Sequence, residues 1–316
     1  MKLKLLSMPI MLRCKLFYFI FGVCFLINSS TVVAQDDLLD MLGEEEQKKE
    51  FVKNAFKATR VISAQSLEHV GAGVLDFRIL HRFGRVNGGS REAYGLDQAT
   101  IRLGLDYGIS NRIMIGLGRS SNKKEIDGYA KYRMIWQGRG KGSVPFSMIL
   151  LSGFSKDGLE WAQPDRKNYY TSRFTYFGQA LIGRKFSDSF SMQIMPTMIH
   201  RNLVAKTIDE HDIYSIGVGA RIKLTRRLSF NAEYFYNLPD QLSPTSTNPL
   251  SIGFDIETGG HVFQLHFTNA LGMNERSLIT DTNGSWDKGD IHFGFNISRV
   301  FTISTPKEFR KKKADH

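Results

Sequence analysis

Ten polar or charged residues fall at alternating positions among apolar ones: Arg102, Asp106, Lys131, Arg133, Arg221, Glu233, Gln264, His266, His292 and Asn296. Alternation sends successive side chains to opposite faces of a strand, so all ten share the face opposite the greasy one. Guanidinium, ammonium and carboxylate groups on an enclosed face can line a path for a small solute, or close it by pairing with one another. His266 and His292 lie on consecutive strands. With a register symmetric about the 271–286 loop, their imidazoles face each other and could bind a transition metal or haem iron, or shuttle protons. Two ligands alone make a weak metal site, so the favoured reading is a hydrogen-bonded network, with neither metal nor cofactor assigned.

Other chemistry finds little support. There is no His-Glu-x-x-His spacing, no phosphate-cradling Gly loop and no recognisable catalytic carboxylate pair. A hydrolase needs a nucleophile, a base and an orienting group within reach of one another. His81 and Asn269 read as outward residues near a loop end with no outward serine between them, which fits interfacial polar residues. No enzyme is expected. Both cysteines, Cys14 and Cys24, lie near the N-terminus, inside what reads as a leader. The mature chain would then have no thiol chemistry and no disulfide.

The elements that position these residues follow from the rest of the chain. Lys2, Lys4, Arg13 and Lys15, the apolar run 16–27 and Val32-Val33-Ala34 have the layout of a cleaved export signal over residues 1–34. Residues 36–59 place Leu38, Leu39, Leu42, Phe51, Val52, Ala55 and Phe56 at helical spacing, so 35–66 is expected as a periplasmic amphipathic helical segment that lies against the barrel mouth, enters the lumen or binds a periplasmic partner. From residue 67 to 302 the pattern turns to period two. Leu250, Ile252, Phe254 and Ile256 alternate with polar or small residues. Gly259-Gly260 marks a hairpin, and Phe263, Leu265 and Phe267 resume the alternation.

Twelve such runs can be counted, joined by alternately short and long connections. An even strand number, one end of short turns and strands of about ten residues fit an antiparallel up-and-down transmembrane β-barrel. Aromatics near strand ends, such as Phe83, Tyr107, Trp136, Phe186, Tyr236 and Phe301, suit interfacial girdles. The run 146–154 is apolar on both phases and leaves its faces open. Pro196 in mid-strand predicts a bulge, since it cannot donate to the ladder. Residues 303–316 form a basic periplasmic tail. The formal net charge is +11; outside the cytoplasm this excess suits solvent or phosphate, and nucleic acid is set aside.

The stretches Gly259–Asn269, Gly289–Phe301 and Tyr107–Gly118 resemble an uncharacterised β-barrel family of Bacteroidota outer membranes, a domain-of-unknown-function family. The resemblance covers roughly residues 51–301 and implies an outer-membrane barrel, without supplying site residues. Three functions are expected in descending order. The first is a porin-like channel or small-solute transporter with both termini periplasmic. Second comes a non-conducting barrel that holds a periplasmic protein through residues 36–59 or the tail 307–313. An outer-membrane hydrolase is third. Outer-membrane lipid is the partner common to all three.

Overall fold

The computed structural model describes residues 49–204 and 209–304. Among them, twelve strands form one barrel: β1 (Val74–Arg85), β2 (Ala99–Gly108), β3 (Ile113–Ser120), β4 (Ile126–Ile135), β5 (Ser147–Lys156), β6 (Phe174–Lys185), β7 (Phe190–Arg201), β8 (Asp212–Lys223), β9 (Leu228–Asn237), β10 (Leu250–Thr258), β11 (His261–Thr268) and β12 (His292–Thr302). Each strand pairs antiparallel with its neighbours in sequence. Pairing of β12 with β1, from Thr302↔Val74 to His292↔Arg85, closes the ring. A closed sheet leaves no strand edge unpaired, which hydrocarbon requires of any sheet that crosses it.

One end of the barrel carries mostly tight turns, at 109–112, 186–189, 224–227 and 259–260, with one longer connection at 136–146. Gly259 and Gly260 take φ angles of 48° and 134°, which lets Thr258 pair directly with His261. Loops at the other end are mostly longer, with the 269–291 connection the largest. Both ends of the described chain lie at the short-turn end. Gly73 accepts backbone hydrogen bonds from Ile303 and Ser304, and Glu50–Phe51 pairs with Gly138–Arg139.

Outward positions are apolar along the strands, with Leu103, Leu105, Ile115, Leu117, Ile216, Phe254, Leu265 and Phe267 all exposed. In a membrane this band meets lipid.

Three expectations need correction. The helix expected through residue 59 is absent from the described part of that segment. Residues 49–59 form a short ladder and bends, and 55–70 run buried inside the barrel; residues 36–48 lie outside the described chain, as do the expected leader 1–34 and the expected tail 307–313. No bulge occurs at Pro196: β7 keeps one register with β8 throughout, including Pro196↔Ile216. On the β6 side the pairing simply lapses between Gln179↔Thr197 and Ile182↔Ile194 and resumes in the same register.

The interior is also not uniformly polar. Strand β5 turns Ile149 and Leu151 inward, and Phe177, Leu181, Met195, Ile199, Ile213 and Phe235 join them in a buried cluster. Side chains that face neither lipid nor open water can be apolar wherever another part of the chain covers them.

If the outward band meets lipid, Leu103→Arg, in the middle of β2 and opposite Ile79, should destabilise the barrel by about 2–4 kcal/mol. Equilibrium unfolding from lipid bilayers checks this, with Ile303→Arg, beyond the last strand, expected to cost little.

Candidate functional site: the filled lumen

All ten inward candidates are buried, none more than 6% exposed. What covers most of them is residues 55–70, a folded-back segment that enters and leaves at the short-turn end and occupies the lumen as a plug. Arg60 and Gln65 form an isolated bridge, and the turn between them is the tip of the plug. Ser63, Ala64, Gln65 and Ser66 are small or uncharged, which suits a chain threaded through a crowded space.

The wall holds this segment mainly by its backbone. Glu233 on β9 accepts from the amides of Ile62 (3.1 Å), Ser63 (2.9 Å) and Ala64 (2.9 Å). Converging amides at a turn make an anion-binding concavity, and here the anion is the barrel's own carboxylate. On the opposite side of the turn, Gln264 Nε2 donates to Val61 O at 2.8 Å and Asn296 Nδ2 to Ile62 O at 2.9 Å. Lys131 Nζ donates to the carbonyls of Ser66 and Glu68, both at 2.9 Å, and Arg133 Nη2 to that of Leu67 at 3.0 Å. Arg221 Nη1 reaches Ala55 O at 3.2 Å. Burying a charge without such partners is costly, so each of these groups depends on the plug being in place.

Asp106 accepts from Thr59 Oγ1 at 2.9 Å and from the Tyr129 hydroxyl. Arg102 instead pairs within the wall, its Nε and Nη2 donating to the two oxygens of Asp127. Space for Arg102 and Tyr129 comes from β3: a Cβ at Gly118 would strike the guanidinium, and one at Gly116 the phenol ring.

The two histidines do not face each other. His266 lies opposite Gly294, while His292 lies opposite Thr268 and contacts Phe83 O through Nδ1 at 2.8 Å. The β11–β12 register is offset from the symmetric one, which puts the rings on different rungs. Neither ring nitrogen of His266 has a hydrogen-bond partner. Asn269, read as outward, is buried and holds the backbone at Leu250, Asn248 and Gly284. His81 does lie on the outer surface, stacked on Phe295 and against Phe83.

A second insert closes the long-loop end. Within the 269–291 loop, helix α1 (Glu275–Thr280) begins at Asn274, whose side chain caps Ser277 N. Leu278 and Ile279 of α1 join the apolar cluster that also contains Phe56, Val61 and Leu67 of the plug. Arg276 pairs with Glu125 through two bonds, 2.6 and 3.1 Å, and also with Asp281. Plug and cap meet at Arg60, whose guanidinium is 2.9 Å from Glu275.

Outside the strands, two groups have informative titration behaviour. His69, where the plug leaves the lumen, is pushed down to about 2 by burial and by Lys131 and Arg133, so it stays neutral. Burial alone would raise the Asp281 carboxyl, but Arg276 and Lys123 hold it below its ordinary value of 3.8.

Period-two reading found the wall; entry of the preceding segment into the lumen was one of the placements expected for it, but as a helix, and the chain that fills the lumen is not helical. Residues 60–66 fall inside the expected helical segment and 67–69 inside the expected barrel, yet neither period runs through them. Gln193, which donates to Gln65 O at 2.6 Å, was missed; Arg82, on the polar face of β1, donates to Ser63 Oγ at 2.7 Å.

Residues 56–301 match the family model described as "Membrane bound beta barrel domain (DUF5777)", and the chain belongs to that family. No curated protein matches it in sequence. Among solved structures, the NanC porin aligns with TM-score 0.45 and 8% identity over 72% of this chain and 98% of that one. The KdgM porin aligns with TM-score 0.44 and 8% identity over 72% and 99%. An outer-membrane channel from Pseudomonas putida F1 gives TM-score 0.44 and 11% identity over 75% and 98%.

Glu233→Gln should weaken plug retention by about 1.5–3 kcal/mol, since three amides lose a charged acceptor. Limited proteolysis within 55–70 should then quicken at least roughly tenfold, while the barrel's circular dichroism is unchanged. The cap should respond to acid. Asp281 has its folded value depressed, so its contribution is complete above the unfolded value and is lost as pH falls through the folded one. Protease accessibility of the 269–291 loop should therefore be flat through neutral and mildly acid pH and rise only below about pH 4, and Asp281→Asn should remove that step.

Proposed function

We propose that this member of the membrane-bound β-barrel family is a porin-like outer-membrane protein whose pathway is closed at rest by its own chain. A small solute passes when residues 55–70 leave the lumen. The observation that carries this reading is how the plug is held. Its backbone carbonyls and amides are bound by Glu233, Gln264, Asn296, Lys131 and Arg133. These are polar contacts that water can replace once the segment moves, and they leave a charged, hydratable wall behind.

The geometry also supports an orientation with periplasmic termini. Both ends of the described chain and the short turns lie together, and export across the inner membrane delivers the chain from the periplasmic side. Periplasmic termini and outward-facing long loops are the arrangement usual for such barrels.

A second reading has its own support. An apolar cluster joins wall, plug and α1, as in the core of a soluble domain. Water gains little there, so a barrel built this way could serve as a fixed anchor for a periplasmic protein recruited through 36–59 or 307–313.

Planar-bilayer recording separates the two. The full chain should be silent or nearly so, and a variant lacking residues 49–70 should conduct. A deletion variant that folds, by circular dichroism and protease resistance of the strands, yet passes no current would leave the anchor.

A further inference from the structure

The two ends of the barrel differ in charge. At the short-turn rim, Arg112, Arg139, Arg184, Arg226, Arg227 and Arg299 are all exposed. Of the carboxylates at that end, Glu50 lies opposite Arg139 in the short ladder, while Asp188 and Glu257 are already engaged, by Lys185 and Lys57. Among the described residues none of the six arginines has an acidic partner within ion-pair distance. Along the long loops, by contrast, acids and bases are interleaved, as in Arg91-Glu92, Lys156-Asp157, Asp165-Arg166 and Asp287-Lys288.

Position makes this excess more specific than net charge alone. Arg184 and Arg299 sit on the outward face, each beside an outward aromatic: Arg184 lies over Phe186 at 5.4 Å, and Arg299 over Phe301 at 5.1 Å. Phe186 and Phe301 are exposed on the same outer surface. Aromatics at this level anchor at the boundary of the hydrocarbon, and long cationic side chains next to them extend into the headgroup layer. Arg226 and Arg227 occupy the tight turn between β8 and β9, which reaches the same layer.

We propose that the short-turn rim is a binding collar for the phosphate groups of anionic lipids in the adjoining leaflet. The two aromatic–arginine pairs and the Arg226-Arg227 turn would be its contact points. Arginine's planar fork suits a phosphate diester, and several cations at one depth bind anionic lipid more strongly than each would alone. The source of the phosphate is the membrane because these cations stand beside lipid-facing rings. A soluble acidic partner would be met further from the bilayer.

The test is native mass spectrometry of the full chain released from mixed phosphatidylglycerol–phosphatidylcholine vesicles. Phosphatidylglycerol should be retained in preference, and less so as ionic strength rises. The combined Arg184→Gln, Arg226→Gln, Arg227→Gln, Arg299→Gln variant should lower that retention at least roughly tenfold. These residues are on the surface, and unchanged circular dichroism would establish that the variant folds. A matched loop-end variant, Arg91→Gln, Arg119→Gln, Lys167→Gln, should retain lipid as the natural chain does. Equal retention of both lipids, or equal loss in the two variants, overturns the collar. So does a rim variant that keeps its lipid but loses binding to polyglutamate, because the rim would then be reading an acidic polymer instead.

Discussion

A sheet that crosses hydrocarbon must satisfy every backbone N–H and C=O internally, and closure of β12 onto β1 is how this chain does so. Closure has a geometric consequence. Eight strands enclose a space their own side chains can fill, whereas twelve enclose more. The interior must then hold water or further chain. Here it holds further chain from both ends: residues 55–70 from the short-turn side and the 269–291 loop from the other. Plug and cap are thus two answers to one packing problem set by the strand number.

The plug's chemistry divides along the same wall. Strands β1, β2, β4, β11 and β12 present Arg82, Asp106, Lys131, Arg133, Gln264 and Asn296 to its backbone and side chains. Strands β5 to β9 present mostly Ile149, Leu151, Leu181, Met195, Ile213 and Phe235. Gln193, Arg221 and Glu233 are the polar exceptions on that side, and Glu233 is the group that collects three amides at the tip. A single carboxylate set among apolar neighbours specifies the position of the turn more sharply than hydrophobic contact would, because displacing the turn leaves a buried charge without donors.

Much of the wall was legible from the sequence. Where one face meets lipid, a shift of one residue would expose the polar set to hydrocarbon, so the alternation in β2, β8 and β9 specifies both strand and facing. That is why Arg102, Arg221 and Glu233 could be placed inward from spacing alone. Facing fails as a guide where both faces are apolar, as in β5, since Ile149 and Leu150 carry no mark of which one a plug will cover. The plug was illegible for a related reason. Residues 60–69 have no period of their own, being shaped to fit groups on six separate strands. Amphipathic spacing before residue 60 reflected burial of Ala55 and Phe56, but against a barrel interior and without a helix. His266 and His292 show the limit of register: parity put both inside, while their rung depended on how the 269–291 loop packs.

The contact of Arg60 with Glu275 links the two inserts directly. Gln65 donates to the same carboxylate oxygen, so both arms of the plug's tip rest on the first turn of α1. Withdrawal of the plug therefore leaves Glu275 buried without its cation, at a helix start where Asn274 already supplies the cap. The unpaired carboxylate favours movement of α1 toward water, and with it the Arg276–Glu125 clasp that pins the loop. Neither insert can leave without raising the free energy of the other in its closed position, so their displacements are energetically coupled. That coupling runs through two side chains from opposite ends of the sequence, brought together because the ring of strands has a wide interior.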